Sequence, residues 1–264
     1  MGNIIYAKAN VGSPAAPPPT PPGSTDCVDF DGTTSETLQN NNEDTYGIVD
    51  NWTWMTWLKK AGDHTTSQHM FRYTAPGEGN SNTIRWAGHL SFPDRLNLIV
   101  YAADGNHRTF VLEDYFAGLD NTWVQVVVTW DGPLDLKLYR DASNVTPGSI
   151  GGTGGAQTDT GRIKRSGYGF NGKYYSEALW NVTLDQDNIT AIFNSGDGTS
   201  FDLLSDSGNY DQSSALKHWW VPGTDQTSEN AIGTDYGTHT NLFNQMDNAT
   251  NITIADDIVA DSPT

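Results

Sequence analysis

Apolar and polar residues alternate with a period of two along much of this chain. Trp52-Thr53-Trp54-Met55-Thr56-Trp57, Thr83-Ile84-Arg85-Trp86, Leu96-Asn97-Leu98-Ile99-Val100-Tyr101, Arg108-Thr109-Phe110-Val111-Leu112 and Leu134-Asp135-Leu136-Lys137-Leu138-Tyr139 each read as a short strand. Asp104-Gly105, Asp131-Gly132 and Asp197-Gly198 punctuate these runs as turn signals. A longer strand starts at the turn dipeptide Asn171-Gly172, runs through Tyr174, Ser176 and Leu179, and ends at Thr183. There the period changes. Ile189, Ile192 and Phe193 fall at i, i+3 and i+4, which predicts one helix over Leu184 to Asn194. Thr183 and Gln186 have capping-box spacing, and Gly196 supplies a left-handed stop. Many short strands and one short helix predict an all-β fold, a two-sheet antiparallel jelly-roll β-sandwich. Its predicted core includes Trp54, Trp57, Trp123, Val126, Val128, Trp130, Leu136, Leu138 and Trp180.

The pattern divides the chain in two. Residues 1–25 read either as a disordered tail or as an extended arm in which Met1, Ile4, Ile5 and Tyr6 are an apolar plug. The prolines around Pro17, Pro18 and Pro19 are a semi-rigid polyproline spacer behind it. Residues 26–264 are read as the sandwich, with 201–264 continuing it. Within that continuation, Ser213 to Trp220 supplies a strand or short helix, and Pro263 stops an edge strand. The run Gly148 to Gly155 reads as a flexible loop, without the spacing that cradles a phosphate.

Charge narrows the function classes. The 264 residues hold 32 acidic and 14 basic side chains, a net charge of −18, which argues against a nucleic-acid partner. The acids are 26 Asp and only 6 Glu, a balance that suits turns over helices or strands. Cys27 is the single cysteine, so no intrachain disulfide forms. The start, Met1 to Ala7, lacks a leader's basic and apolar regions, and no run approaches the roughly 20 apolar residues that span a bilayer. The expectation is synthesis in a cytoplasm and no membrane insertion.

Candidate chemistry is sparse. A retaining glycosidase needs two carboxyls about 5 Å apart, and a Glu-x-Asp-x-Glu strand puts its acids on one face. No such strand occurs: Glu113 and Asp114 are adjacent, so on a strand they face opposite ways, and Glu177 stands alone. His64, His69, His89, His107, His218 and His239 show no metal-ligand spacing, and no G-x-S-x-G elbow exists. Asp94, Asp104 and Asn106 are candidate oxygen donors for calcium. Asp185 and Asp187 suit the first turn of the helix, where acids face its dipole. Trp86, Tyr115, Trp219 and Trp220, less constrained by strand position than the other aromatics, are candidate platforms for a sugar ring.

Three segments carry a resemblance. Phe170-Asn171-Gly172-Lys173-Tyr174-Tyr175-Ser176-Glu177-Ala178-Leu179-Trp180-Asn181, with its helix and glycine, resembles the closing segment of laminin-G-like domains in the concanavalin A-like lectin/glucanase superfamily. Trp123-Val124-Gln125-Val126-Val127-Val128-Thr129-Trp130-Asp131-Gly132 resembles that family's central strand, and Val28-Asp29-Phe30-Asp31-Gly32 its opening. The ending, from His218-Trp219-Trp220 to Asp257-Ile258-Val259-Ala260-Asp261-Ser262-Pro263, is similar to laminin-G-like proteins of environmental, particularly marine, bacteriophages.

The resemblance implies a non-enzymatic structural or adhesion protein of a virus particle: a capsid decoration, fibre or adhesin. It would be multi-copy or homo-oligomeric, docked on other virion proteins through the arm, with cell-surface glycans as candidate ligands. The alternative is a lectin module whose task is carbohydrate binding, and glycoside hydrolysis ranks last. Fold alone does not decide among these.

Overall fold

Val124 to Trp130 are seven consecutive buried residues, although a strand facing water on one side would bury only alternate ones. Both faces of that strand are therefore covered, as the near-continuous apolar run requires. The computed structural model describes residues 26–32, 37–44, 49–62, 69–74, 83–89, 92–132, 135–158, 162–221, 232–235, 245–246, 248–250 and 258–263. The expected arm, residues 1–25, lies outside the described residues.

The strands in chain order are β1 (Asp26–Asp31), β2 (Thr37–Asp44), β3 (Asn51–Lys60), β4 (His69–Thr74), β5 (Ile84–His89) and β6 (Phe92–Tyr101). Next come β7 (His107–Leu112), β8 (Trp123–Asp131), β9 (Leu136–Arg140), β10 (Ser143–Val145), β11 (Ser149–Gly152) and β12 (Arg162–Tyr168). Last are β13 (Asn171–Trp180), β14 (Leu216–Val221), β15 (Ile232–Asp235), β16 (Gln245–Met246), β17 (Asn248–Thr250) and β18 (Ile258–Ala260), with one helix, α1 (Gln186–Phe193), after β13. The first sheet has the order β10-β9-β8-β3-β13-β14-β15-β16, and β1 pairs with both β13 and β18 beside this path. The second runs β11-β7-β6-β5-β4-β12-β2-β17. The paired strands are antiparallel, and the two sheets form a jelly-roll sandwich.

Between the sheets lie Trp52, Trp54, Leu58, Phe71, Leu98, Phe110, Val126, Val128, Trp130 and Leu138, all within one buried cluster. Trp52 and Trp130, opposite each other on β3 and β8, stack at 6.0 Å. A second cluster covers the other face of the first sheet: Met55, Trp57, Val127, Tyr175 and Trp180 meet Ile189 and Ile192 of α1, and Leu203 and Tyr210 beyond it. This outer layer explains why Trp57 and Trp180 are buried on the face opposite to Trp54. Of the expected core, Trp123 departs: it lies at the rim of the second cluster and stays half-exposed.

The helix falls inside its expected span, but its ends are built differently. Asp185, not Thr183, is the N-cap, accepting from the Asn188 backbone N–H at 2.9 Å and its Nδ2 at 2.8 Å. These bonds from Asn188 hold the Asp185 carboxyl below its usual range, against a smaller upward effect of burial. Thr183 is drawn away, donating from Oγ1 to the Trp130 carbonyl, while the Gln186 amide donates to Ala142 O and Thr190 Oγ1. The left-handed stop comes at Asn194, with φ 48°, two residues before Gly196. The Gly148 to Gly155 run is also not a free loop, since β11 pairs with β7 from Ser149 to Gly152. Ser213 to Trp220 resolves into a 3-10 turn, Ser213–Ala215, followed by β14.

Candidate functional site

Strand register assembles a row of polar side chains on the outer face of the first sheet. Trp123 on β8 faces Lys59 on β3, Lys59 faces Lys173 on β13, and Lys173 faces Asp29 on β1. Directly paired residues of antiparallel strands share a face. Trp57, two residues before Lys59, belongs to the outer cluster, which identifies that face.

Like charges directly opposite each other weaken a sheet, and Lys59 and Lys173 are such a pair. A carboxylate from elsewhere compensates. Asp261, just beyond β18, accepts from Lys59 Nζ at 2.8 Å and from Lys173 Nζ at 2.7 Å on one oxygen. Its other oxygen accepts from Trp123 Nε1 at 3.0 Å. Burial works to raise the Asp261 carboxyl, but the bonds from Lys173, Lys59 and Trp123 outweigh it and hold it at about 2. Lys59 also lies 5.7 Å from the centre of the Trp123 ring. Behind the row, burial pushes the Cys27 thiol up to about 12, so it adds no charge.

The segment 258–263 reaches this place as a strap. Asp26, Cys27 and Val28 of β1 pair with Ala260, Val259 and Ile258 of β18. Further on, the Gly198 N–H donates to the Pro263 carbonyl at 3.0 Å. A Cβ on Gly198 would come within 2.7 Å of the Trp57 ring and 2.8 Å of Pro263, so only glycine admits this approach.

Two depressions flank the carboxylate. One, of about 340 Å³, is lined by Asp29, Lys59, Ala61, Asn121 and Lys173. The other, of about 420 Å³, is lined by Trp57, Asn121, Trp123, Asp141, Phe193 and Pro263 among others. Both are in the size range of small-ligand sites. They share Asn121, and Asp261 binds residues from each. Aromatic surface sits beside amide, carboxyl and ammonium groups here.

The residues expected from sequence to bind sugar lie elsewhere. Tyr115 is 1% exposed and donates to the Tyr139 carbonyl; Trp219 and Trp220 are buried under the outer and inner layers respectively. Trp86 is paired on β5 opposite Phe71 and Leu98, and its side chain is outside the described residues. Of the calcium candidates, Asp104 and Asn106 share the turn after β6, where Asp104 accepts from the Asn106 N–H and Nδ2. Asp94 is near the opposite end of β6, 3.5 Å from the Lys60 ammonium. Among the described residues, no group of three or more His, Cys, Asp or Glu converges as a metal site.

The carboxylates weighed for hydrolysis are also placed. Glu113 and Asp114 are exposed in the turn after β7, and Glu113 lies 3.5 Å from Arg95. Glu177 does not stand alone. Fully buried between the sheets, it accepts from Trp54 Nε1 (2.7 Å), Tyr73 Oη (2.7 Å) and Tyr174 Oη (2.6 Å).

Residues 30–190 match the model of a laminin-G family described as part of the concanavalin A-like lectin/glucanases superfamily. The chain belongs to that family. No curated protein matches it by sequence. Among solved structures, a Bacteroides ovatus protein proposed to bind carbohydrate is similar at 12% identity, with TM-score 0.51, over 80% of this chain and 55% of that one. The binding domain of botulinum neurotoxin serotype D is 15% identical, with TM-score 0.45, over 64% and 42% of the two chains. A heptameric SAP-like pentraxin from Limulus polyphemus is 12% identical, with TM-score 0.40, over 64% and 81%. The chain thus spans about half the length of the first two. Among the described residues, no helix is long and apolar enough to cross a membrane.

Proposed function

We propose that this chain is a non-catalytic recognition module that binds carbohydrate in the groove beside Trp123. One observation carries the reading. Of the eight tryptophans whose side chains are described, seven are buried and Trp123 alone keeps part of its ring open. That ring lines a depression with Asn121 and Asp141, which offer hydrogen bonds to hydroxyls, and Phe193, which offers a second aromatic surface. The superfamily's range and the fold shared with the Bacteroides protein agree with a binding role. Glu177, enclosed and held by three donors, has no path to a substrate.

A glycan array probed with the full chain tests this. Retention of one or more oligosaccharides by the wild type, and its loss in Trp123→Ala, is the expected result. An empty array, or equal retention by Trp123→Ala, overturns it.

The finer placement, a virion component attached through residues 1–25, rests on the polyproline spacer and the resemblance of the ending to phage proteins. A version beginning at Ser24 is expected to fold normally and fail to join the parent particle. Its normal incorporation sinks the attachment role.

A further inference from the structure

Two ammonium groups and an indole N–H converge on one carboxylate, and that carboxylate belongs to a strap and not to the sheet. We infer that Lys59, Lys173 and Trp123 Nε1 form a carboxylate subsite for acidic sugars, and that Asp261 is its internal occupant. The inference rests on the Trp123 groove being a carbohydrate site and names the ligand class and its control.

The first argument is charge. Lys59 and Lys173 are opposed in register, in a chain with 14 basic residues against 32 acidic ones. Setting two scarce cations side by side costs stability unless an anion sits between them. Among the described residues, Asp261 is a carboxylate that accepts a hydrogen bond from both lysines. With it in place, the row of Lys59, Lys173, Asp29 and Asp261 is neutral; with it withdrawn, one net positive charge remains beside an aromatic ring.

The second argument is position. Asp261 binds the lysines that line one depression and the tryptophan that lines the other. A ligand lying on Trp123 and extending past Lys59 must meet this carboxylate. A neutral sugar confined to the Trp123 side leaves it in place. A uronic acid can supply its own carboxylate to the same three donors and displace it, exchanging one set of charge-assisted bonds for another.

The third argument is attachment. Among the described residues, the backbone of the strap is held by three residue pairs with β1 and the Gly198–Pro263 bond, besides the Asp261 side chain and the buried Pro263. Such an attachment can open locally while the sandwich stays folded. A strap closed roughly nine-tenths of the time lowers apparent affinity for a competing ligand about tenfold.

The test uses the full chain and calorimetric titration with four probes: tetragalacturonate, tetraguluronate, a sulfated heparin tetrasaccharide and neutral cellotetraose. Asp261→Asn is expected to bind at least one uronate tetramer about tenfold tighter than the wild type, with cellotetraose unchanged. Adding Lys59→Gln and Lys173→Gln removes the gain. Gly198→Ala, whose Cβ crowds both Pro263 and the Trp57 ring of the same depression without touching the lysines, reproduces the gain and stands in if Asp261→Asn melts early.

Four results overturn the inference: no uronate gain in either variant, an equal gain for cellotetraose, a gain kept after both lysines are replaced, or a gain for the sulfated probe alone. Neutral binding that persists without a uronate gain sinks this inference and leaves the binding role standing. Failure of every folded variant to bind any glycan on the array sinks both.

Discussion

Lys59 and Lys173 sit directly opposite each other on neighbouring strands, and a single oxygen of Asp261, 202 residues from Lys59 in sequence, bonds to both. The pair is a like-charge mismatch that the sheet tolerates because the strap returns to it. The two elements are coupled, and acid tests the coupling.

Asp261 is held at about 2, below its ordinary value of 3.8. A depressed carboxyl stabilises the fold above its unfolded value, and that contribution disappears as pH falls through the folded one. The charged and titratable groups around it are Lys59, Lys173, Asp29 and Cys27; the Lys173 ammonium and the Cys27 thiol, both raised, keep their protons throughout this window. The wild type is therefore expected to melt above Asp261→Asn at about pH 5, with the gap closing as pH falls toward about 2. Taking the difference between the two proteins cancels the many other carboxyls. A gap that stays constant across the acid range would refute the coupling.

Gly198 tests the strap from the other end. Its missing Cβ leaves room for Trp57 and Pro263 to close over the backbone, and alanine fills that room with contacts of 2.7 and 2.8 Å. Hydrogen exchange of Gly198→Ala should show faster exchange in 258–263, while β3 and β8 keep their protection. Unchanged protection of the strap would mean that Pro263 yields without cost.

The fold was largely legible because its signals are local. Trp123 to Asp131 is a long, mostly apolar run, Asn171 to Trp180 opens on a turn dipeptide, and Ile189, Ile192 and Phe193 mark a helix by spacing alone. The cap choice was not legible, because Thr183 answers to the Trp130 carbonyl, a tertiary partner. The candidate site was illegible for the same reason. Trp123, Lys59, Lys173, Asp29 and Asp261 meet only through the register of β8, β3, β13 and β1 and the return of the strap. The one signal available was that Lys59 and Lys173 interrupt apolar strands near their ends. Tyr115, Trp219 and Trp220 read from sequence as weakly constrained by strand position, but 201–216 and α1 cover the outer face near Trp219, and the core encloses the other two.

Glu177 is a buried acceptor with three aromatic donors drawn from both sheets: Trp54 and Tyr174 from the first, Tyr73 from the second. A glutamine keeps the shape but replaces one accepting oxygen with a donating NH2. One accepted bond must then reverse or be lost: a tyrosine hydroxyl can turn to accept from the NH2, but the Trp54 Nε1–H can only donate. Glu177→Gln should cost about 1–3 kcal/mol in denaturant unfolding, the range for a buried hydrogen bond left unmade. Glycan retention should be unchanged. A neutral effect on stability would show that the network relaxes around the amide.

Trp123 and Trp130 begin and nearly end the same strand, yet they should fail differently. Trp130 is 1% exposed, stacked on Trp52 and edge-on to Phe110. Trp130→Ala leaves a cavity between the sheets and should cost about 3–5 kcal/mol. Trp123 is half-exposed, edge-on to Tyr175 and bonded to Asp261, so Trp123→Ala removes little core volume. Its unfolding free energy should fall by less than half as much, while glycan retention is lost outright. The reverse pattern, with Trp123→Ala unfolding the protein and Trp130→Ala abolishing retention in a stable one, would place the binding surface on the other side of this sheet.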